Sequence, residues 1–158
     1  MAAVTLTGKL EQRDRWRADD CPLAATLEIV GTRSAFLILR EAFYGGTRFD
    51  EFARRAGISE PVTAARLREL VEHGLLVREP YREPGQRTRD EYRLTERGTA
   101  LFPTLVALMQ WGNRWLNDDG GPVELRHHGC GAVVAAELRC TSGHAVEVGD
   151  LDLVSTRR

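Results

Sequence analysis

The stretch Gly57-Ile58-Ser59 constrains this chain more than any other. It stands between two short segments whose apolar residues recur at helical spacing. Ahead of it, Phe49, Phe52, Ala53 and Ala56 mark one helix. Behind it, Thr63, Leu67, Leu70 and Val71 mark another, which Gly74 closes. Gly57 lets the chain reverse, Ile58 supplies an apolar plug between the helices, and Ser59 is a natural N-cap. Pro61 falls within the first turn, where its missing N–H does no harm.

The flanking segments extend this pattern. Asp19-Asp20-Cys21-Pro22 reads as a helix start, with the aspartates accepting bonds from free amides and Leu23, Leu27 and Val30 on one face. A second helix is expected over Thr32–Phe43, with an apolar stripe broad enough to be buried on most sides. After the turn pair, Leu75–Glu79 and Glu91–Leu94 read as strands of a hairpin around the Arg-, Pro- and Gly-rich segment Pro80–Asp90. Thr95–Gly98 then caps a last long helix over about Thr99–Asn117.

Residues 1–18 are expected to form a loose arm and residues 118–122 a linker. Residues 123–158 switch to strand-like alternation over Val123–His127, Val133–Leu138 and Val146–Val148. The fold class expected is mainly α with a small β-wing (α+β). It comprises a winged helix-turn-helix domain over residues 19–117 and a β-hairpin-rich extension over 123–158.

Short helix, tight turn, helix and basic hairpin together form a device for duplex DNA, because the second helix fits a major groove about 12 Å wide. The overall balance of 22 basic and 23 acidic residues is neutral on this point, but the hairpin is not. Between Arg78 and Arg93 five arginines face four acids, and Gly85–Arg89 at the tip holds two arginines and no acid. The candidate DNA contacts are Arg48, Ser59, Glu60, Thr63, Ala64, Arg66 and Arg68 in the helical part, and Arg82, Arg87 and Arg89 on the hairpin. For Arg66 and Arg68 the competing role is an ion pair with Glu69 or Glu72.

Residues 19–116 resemble the HxlR family of bacterial winged helix-turn-helix transcription regulators. Cys21-Pro22, Ile38-Leu39-Arg40, Arg48-Phe49-Asp50-Glu51-Phe52 and Gly57-Ile58-Ser59 carry the resemblance. So do Leu67-Arg68-Glu69-Leu70, Gly74-Leu75-Leu76, Glu91-Tyr92-Arg93-Leu94-Thr95 and Gly98, in that order and spacing. The resemblance implies a homodimer on a palindromic operator, in contact through its N-terminal and C-terminal helices. The chain departs from the family at Arg33-Ser34, where a Lys-Trp pair is usual, and at Glu60, Pro61, Ala64 and Ala65, where polar side chains are frequent. Small residues there leave fewer hydrogen bonds to bases. Either specificity leans on apolar contacts, backbone and DNA shape, or the operator is unusual. Glu60 would repel phosphates unless it reads a cytosine amino group.

Other residues invite roles of their own. Cys21 sits at a helix start, and some members of the family use a cysteine there to sense oxidants; the alternative is a small buried hydrophobe. Trp111 and Trp115, with Phe102 and Met109 on the same helix, line an effector pocket or pack at a dimer interface. In the extension, His128, Cys130, Cys140 and His144 could offer zinc a Cys₂His₂ tetrahedron. A zinc ribbon would have Cys-x-x-Cys twice, whereas here Gly143 leaves the second half incomplete, so a hairpin without metal competes with it. No other cofactor is expected.

Several classes fall away. No apolar run approaches the ~20 residues that span a bilayer, and no basic segment leads an apolar one at the start, so the cytoplasm is the expected address. Three cysteines are too few and too dispersed for a disulfide scaffold. A metal-dependent enzyme on the His/Cys cluster would lack a nucleophile motif and find a base only in Glu137 or Glu147. The expected function is a DNA-binding transcriptional repressor, dimeric, with its operator affinity set by a small effector or by thiol oxidation. A winged-helix module for protein contact is the rival.

Overall fold

The structure, a computed structural model, describes residues 3–15, 21–82, 85 and 87–156. Helix α1 (Pro22–Val30) starts at its proline, as expected, with Cys21 at the N-cap; the Cys21 side chain makes no capping bond. The expected caps Asp19 and Asp20 lie outside the described residues. Helix α2 (Arg33–Phe43) is capped by Thr32, whose hydroxyl accepts the Ala35 N–H at 3.2 Å. Helix α3 (Phe49–Ala56) is held at its start by Glu51, whose Oε2 accepts the N–H groups of Thr47 at 3.1 Å and Arg48 at 3.2 Å. Gly57 then adopts φ +64°, a left-handed conformation open to glycine at little cost, and the chain turns into α4 (Glu60–Glu72).

The core sits where these helices meet. Val30, Ile38, Leu39, Phe52, Leu67, Leu70, Leu75 and Leu76 form one buried cluster. Ile58, the expected plug, packs against it half-buried. The hairpin forms as expected, from β2 (Leu76–Tyr81) and β3 (Arg89–Leu94), antiparallel with Leu76 opposite Leu94 and Tyr81 opposite Arg89. Its root is fastened twice. Tyr92 donates its amide to the Thr47 carbonyl at 2.8 Å, and its ring meets Phe52 edge-on at 6.2 Å.

The apolar stripe predicts one long C-terminal helix; two are present. Helix α5 (Glu96–Thr99) ends, and α6 (Phe102–Trp115) begins afresh with a proline in its first turn. Pro103 has no N–H for the Thr99 carbonyl and its ring would clash there, so the helix restarts. Helix α6 lies on α2 through Phe43 and Phe102, whose ring centroids are 4.8 Å apart.

The arm and the extension also depart from expectation. The arm is tied: β1 (Thr5–Leu6) pairs in parallel with β4 (Asp152–Leu153), bringing the two ends of the chain together. The three strands expected over 123–148 reduce to the single bridges Arg126–Val133 and Arg139–Ala145 and a 3-10 turn at Val148–Asp150. Val133, Leu138 and Val148 stay exposed, and strands with no buried face do not extend. Each bridged loop is closed by an arginine instead. Arg126 donates to the Gly131 carbonyl and pairs with Glu124; Arg139 donates to the Gly143 carbonyl and pairs with Glu137.

Candidate nucleic-acid interface

The register of α4 decides what it can offer. Thr63, Leu67 and Leu70 are buried, which turns Pro61, Ala65, Arg68 and Glu72 outward at successive turns. Arg68 is exposed and makes no hydrogen bond or ion pair with a described residue. Arg66 is half-buried and paired with Glu69, the competing role named above. Ser59 occupies the N-cap position, but its hydroxyl makes no cap bond and stays exposed at the helix start, where free amides favour a phosphate. Glu60 is exposed beside it, and Ala64 is half-buried.

Thr63 corrects the sequence reading. Its relative exposure is 0 %, and its hydroxyl has no hydrogen-bond partner. A side chain sealed beneath α4 cannot reach a base, so Thr63 belongs to the core. Val62, absent from the expected contacts, is 43 % exposed on the first turn. Its place beside the outward Pro61 was the signal available in the sequence.

The hairpin lies alongside this helix. A shallow hollow of about 280 Å³ is lined by Ala64, Arg68 and Glu72 of α4, Arg78 and Tyr92 of the hairpin and Phe49 of α3. Arg78 pairs with Asp90 at 2.9 Å across the strands. Arg48 holds its guanidinium 4.8 Å over the Tyr81 ring, so it serves as a strut between α3 and the hairpin. Arg82, Arg87 and Arg89 are exposed towards the tip, where residues 83, 84 and 86 lie outside the described residues.

The remaining candidates separate. Cys21 is half-buried, while Cys130 and Cys140 are exposed, and all three are free thiols. Of the aromatic and sulfur side chains on α6, Phe102 packs inward on Phe43, and the Tyr44 hydroxyl reaches the Met109 sulfur at 4.0 Å. Trp111 and Trp115 are exposed, Trp115 beneath the Arg114 guanidinium. A groove of about 380 Å³ does run between α6 and the extension, lined by Met109, Gln110, Asn113, Arg114, Leu125 and Val134 among others. Of the expected pocket residues only Met109 borders it. Gln110 holds the extension there, donating to the Val134 carbonyl at 2.6 Å and accepting from the Ala136 amide at 2.8 Å. Asn113 donates to the Val123 carbonyl. No sequence signal marked these two amides.

The zinc tetrahedron that His128, Cys130, Cys140 and His144 could offer is not assembled. His127, not His128, approaches Cys130, with Nδ1 3.2 Å from Sγ. Among the described residues no three His, Cys, Asp or Glu side chains stand close enough to share a metal ion. The donors present therefore do not fit zinc. No single helix among the described residues is long and apolar enough to cross a membrane.

The chain resembles known proteins over this same framework. Residues 29–120 match the family of HxlR-like helix-turn-helix proteins. An uncharacterised HTH-type transcriptional regulator of Mycobacterium tuberculosis is 51 % identical over 116 residues, which cover 73 % of this chain and 72 % of the relative. The crystal structure of PA1607, described as a candidate transcription factor, superposes with a TM-score of 0.77 at 39 % identity, covering 87 % of this chain and 96 % of that one. The redox regulator HypR in its oxidised form superposes with a TM-score of 0.54 at 32 % identity, covering 60 % of this chain and 96 % of its own. The winged-helix fold class and the resemblance drawn from residues 19–116 are borne out. The chain belongs to the HxlR-like helix-turn-helix family of DNA-binding transcriptional regulators.

Proposed function

We propose that this protein is a homodimeric repressor that lays α4 of each protomer into successive major grooves of a palindromic operator, acting in the cytoplasm. The observation that carries the reading is the placing of the hairpin against α4, with Arg68, exposed and unpaired among the described residues, and Arg78 of the hairpin lining one shallow hollow. Arg68 reaches base edges or phosphates, Ser59 and the start of α4 hold a phosphate, and Arg82, Arg87 and Arg89 follow the backbone or the minor groove.

Dimerisation is supported by apolar side chains left in water. Leu23 and Leu27 on α1, Leu108, Trp111 and Trp115 along α6, and Leu116 just after it are all close to half exposed or more. A second copy covers these faces and fixes the distance between the two α4 helices. An effector alters that distance and thereby the affinity for the operator. A small molecule would lodge in the groove between α6 and the extension. Oxidation of Cys21 is the other route, favoured by the likeness to the redox regulator HypR and by the place of the thiol at the start of α1.

Selection from a random duplex pool tests the reading. The expected outcome is an inverted repeat with half-sites about one helical turn apart, bound by a chain that sediments as a dimer and represses a reporter carrying that site. Enrichment of a single unrepeated site by a monomer would contradict it. Diamide should weaken binding by the wild type and not by Cys21→Ser if that thiol is the switch; an equal loss in both would exclude Cys21 and point to the exposed Cys130 or Cys140.

A further inference from the structure

We infer that α4 recognises its operator through the C5-methyl groups of thymine, with Pro61, Val62 and Ala65 as the contact patch; the inference rests on the DNA-binding reading above. In a helix-turn-helix, the N-terminal residues of the second helix meet the base edges. Here the first two turns present Pro61 and Val62 exposed and Ala65 half-buried on the outward side. None of these side chains donates or accepts a hydrogen bond. Their polar neighbours are occupied elsewhere, since Thr63 is sealed in the core and Arg66 is engaged with Glu69. With Ser59 at the phosphate in the DNA-binding reading, base-edge hydrogen bonding is left to Arg68, one turn further along, and to Glu60, which can only accept.

In the major groove, thymine alone among the four bases carries an apolar group, its C5-methyl. An apolar patch gains by covering that methyl. Against other bases it leaves their donors and acceptors dry and unmatched. The patch therefore discriminates for thymine by burying a methyl and against the rest by failing to replace their water.

The test uses the full chain and an operator selected from a random pool. Replacing thymine by deoxyuridine removes only the methyl, leaving pairing and phosphates intact. Each thymine facing the patch should lose about fourfold in affinity on conversion to uracil, the worth of one buried methyl. That ratio should be the same at two salt concentrations, because no ion is released with the methyl. Val62→Ala should abolish the thymine/uracil difference at one position of each half-site; Val62 is exposed, so the variant should unfold at the wild-type temperature. An operator bound equally well with uracil throughout both half-sites would overturn the inference and leave the regulator reading standing. So would an unchanged thymine/uracil ratio in Val62→Ala. A pool that enriches no sequence would overturn the regulator reading, and this inference with it.

Discussion

At the scale of single residues, two side chains carry opposite lessons. Thr63 is fully buried with an unpartnered hydroxyl, which costs stability and offers DNA nothing. Thr63→Val keeps the shape and removes the unmatched group. It should raise stability by about 1 kcal/mol in urea unfolding and leave operator affinity unchanged. A variant that keeps its stability but loses affinity would put that hydroxyl at the interface after all. Glu51 shows the reverse case, a carboxylate whose charge is used. The Thr47 amide above all, with lesser help from Arg48 and Arg55, holds its carboxyl below the ordinary glutamate value despite the opposing effect of burial. Its stabilising contribution is therefore full above the unfolded pKa, about 4.3, and fades as pH falls through the lower folded value. Glu51→Gln should cost about 0.5–1 kcal/mol near neutrality, and the gap should narrow as pH falls below the unfolded pKa of about 4.3. A gap constant down to pH 3 would show that the charge does not matter. The apolar spacing already turned Thr63 inward; its polarity invited a second role that burial removes.

Among the elements, those governed by local chemistry were legible and those set by distant partners were not. Gly57 and the apolar spacing on either side of it define α3, the turn and α4 within a few residues, and α3 runs Phe49–Ala56 as its pattern requires. Pro103 carried the signal for the break between α5 and α6, but an apolar stripe running through it read as one helix. Alternation in the extension shows which faces a strand could have, not whether anything pairs with it. There the partners are the α6 amides Gln110 and Asn113, and the arm partners Leu153 across 146 positions of sequence. No window of local sequence contains such contacts. Gly98 is the element-scale residue with the sharpest expectation. It lets the first turn of α5 press on the start of the hairpin, because a Cβ there would stand 2.1 Å from the Leu75 carbonyl oxygen and 3.1 Å from Leu94. Gly98→Ala should cost about 1–3 kcal/mol in urea unfolding. A cost within error would mean that α5 shifts freely off the hairpin root.

For the whole molecule, the arrangement is a recognition unit on a helical scaffold, and the proposed dimer would add a second copy to it. The core of α1–α4 fixes the hairpin beside α4, Leu108, Trp111 and Trp115 stay exposed along α6, and the extension is held against α6 by Gln110 and Asn113. In a chain of net charge −1 the positive charge offered to a polyanion is local: Gly85–Arg89 at the hairpin tip holds two arginines and no acid, whereas Arg55, Arg66, Arg78, Arg93, Arg126 and Arg139 are paired with carboxylates. The most direct test is a fluorescence-anisotropy titration of the selected operator at several salt concentrations, comparing the wild type with Arg87→Ala/Arg89→Ala. Affinity should fall steeply with salt for the wild type. The slope of log K against log salt should become shallower in the variant by about 0.9 for each phosphate it no longer neutralises. Identical affinities and slopes for the two proteins would contradict a hairpin that grips DNA.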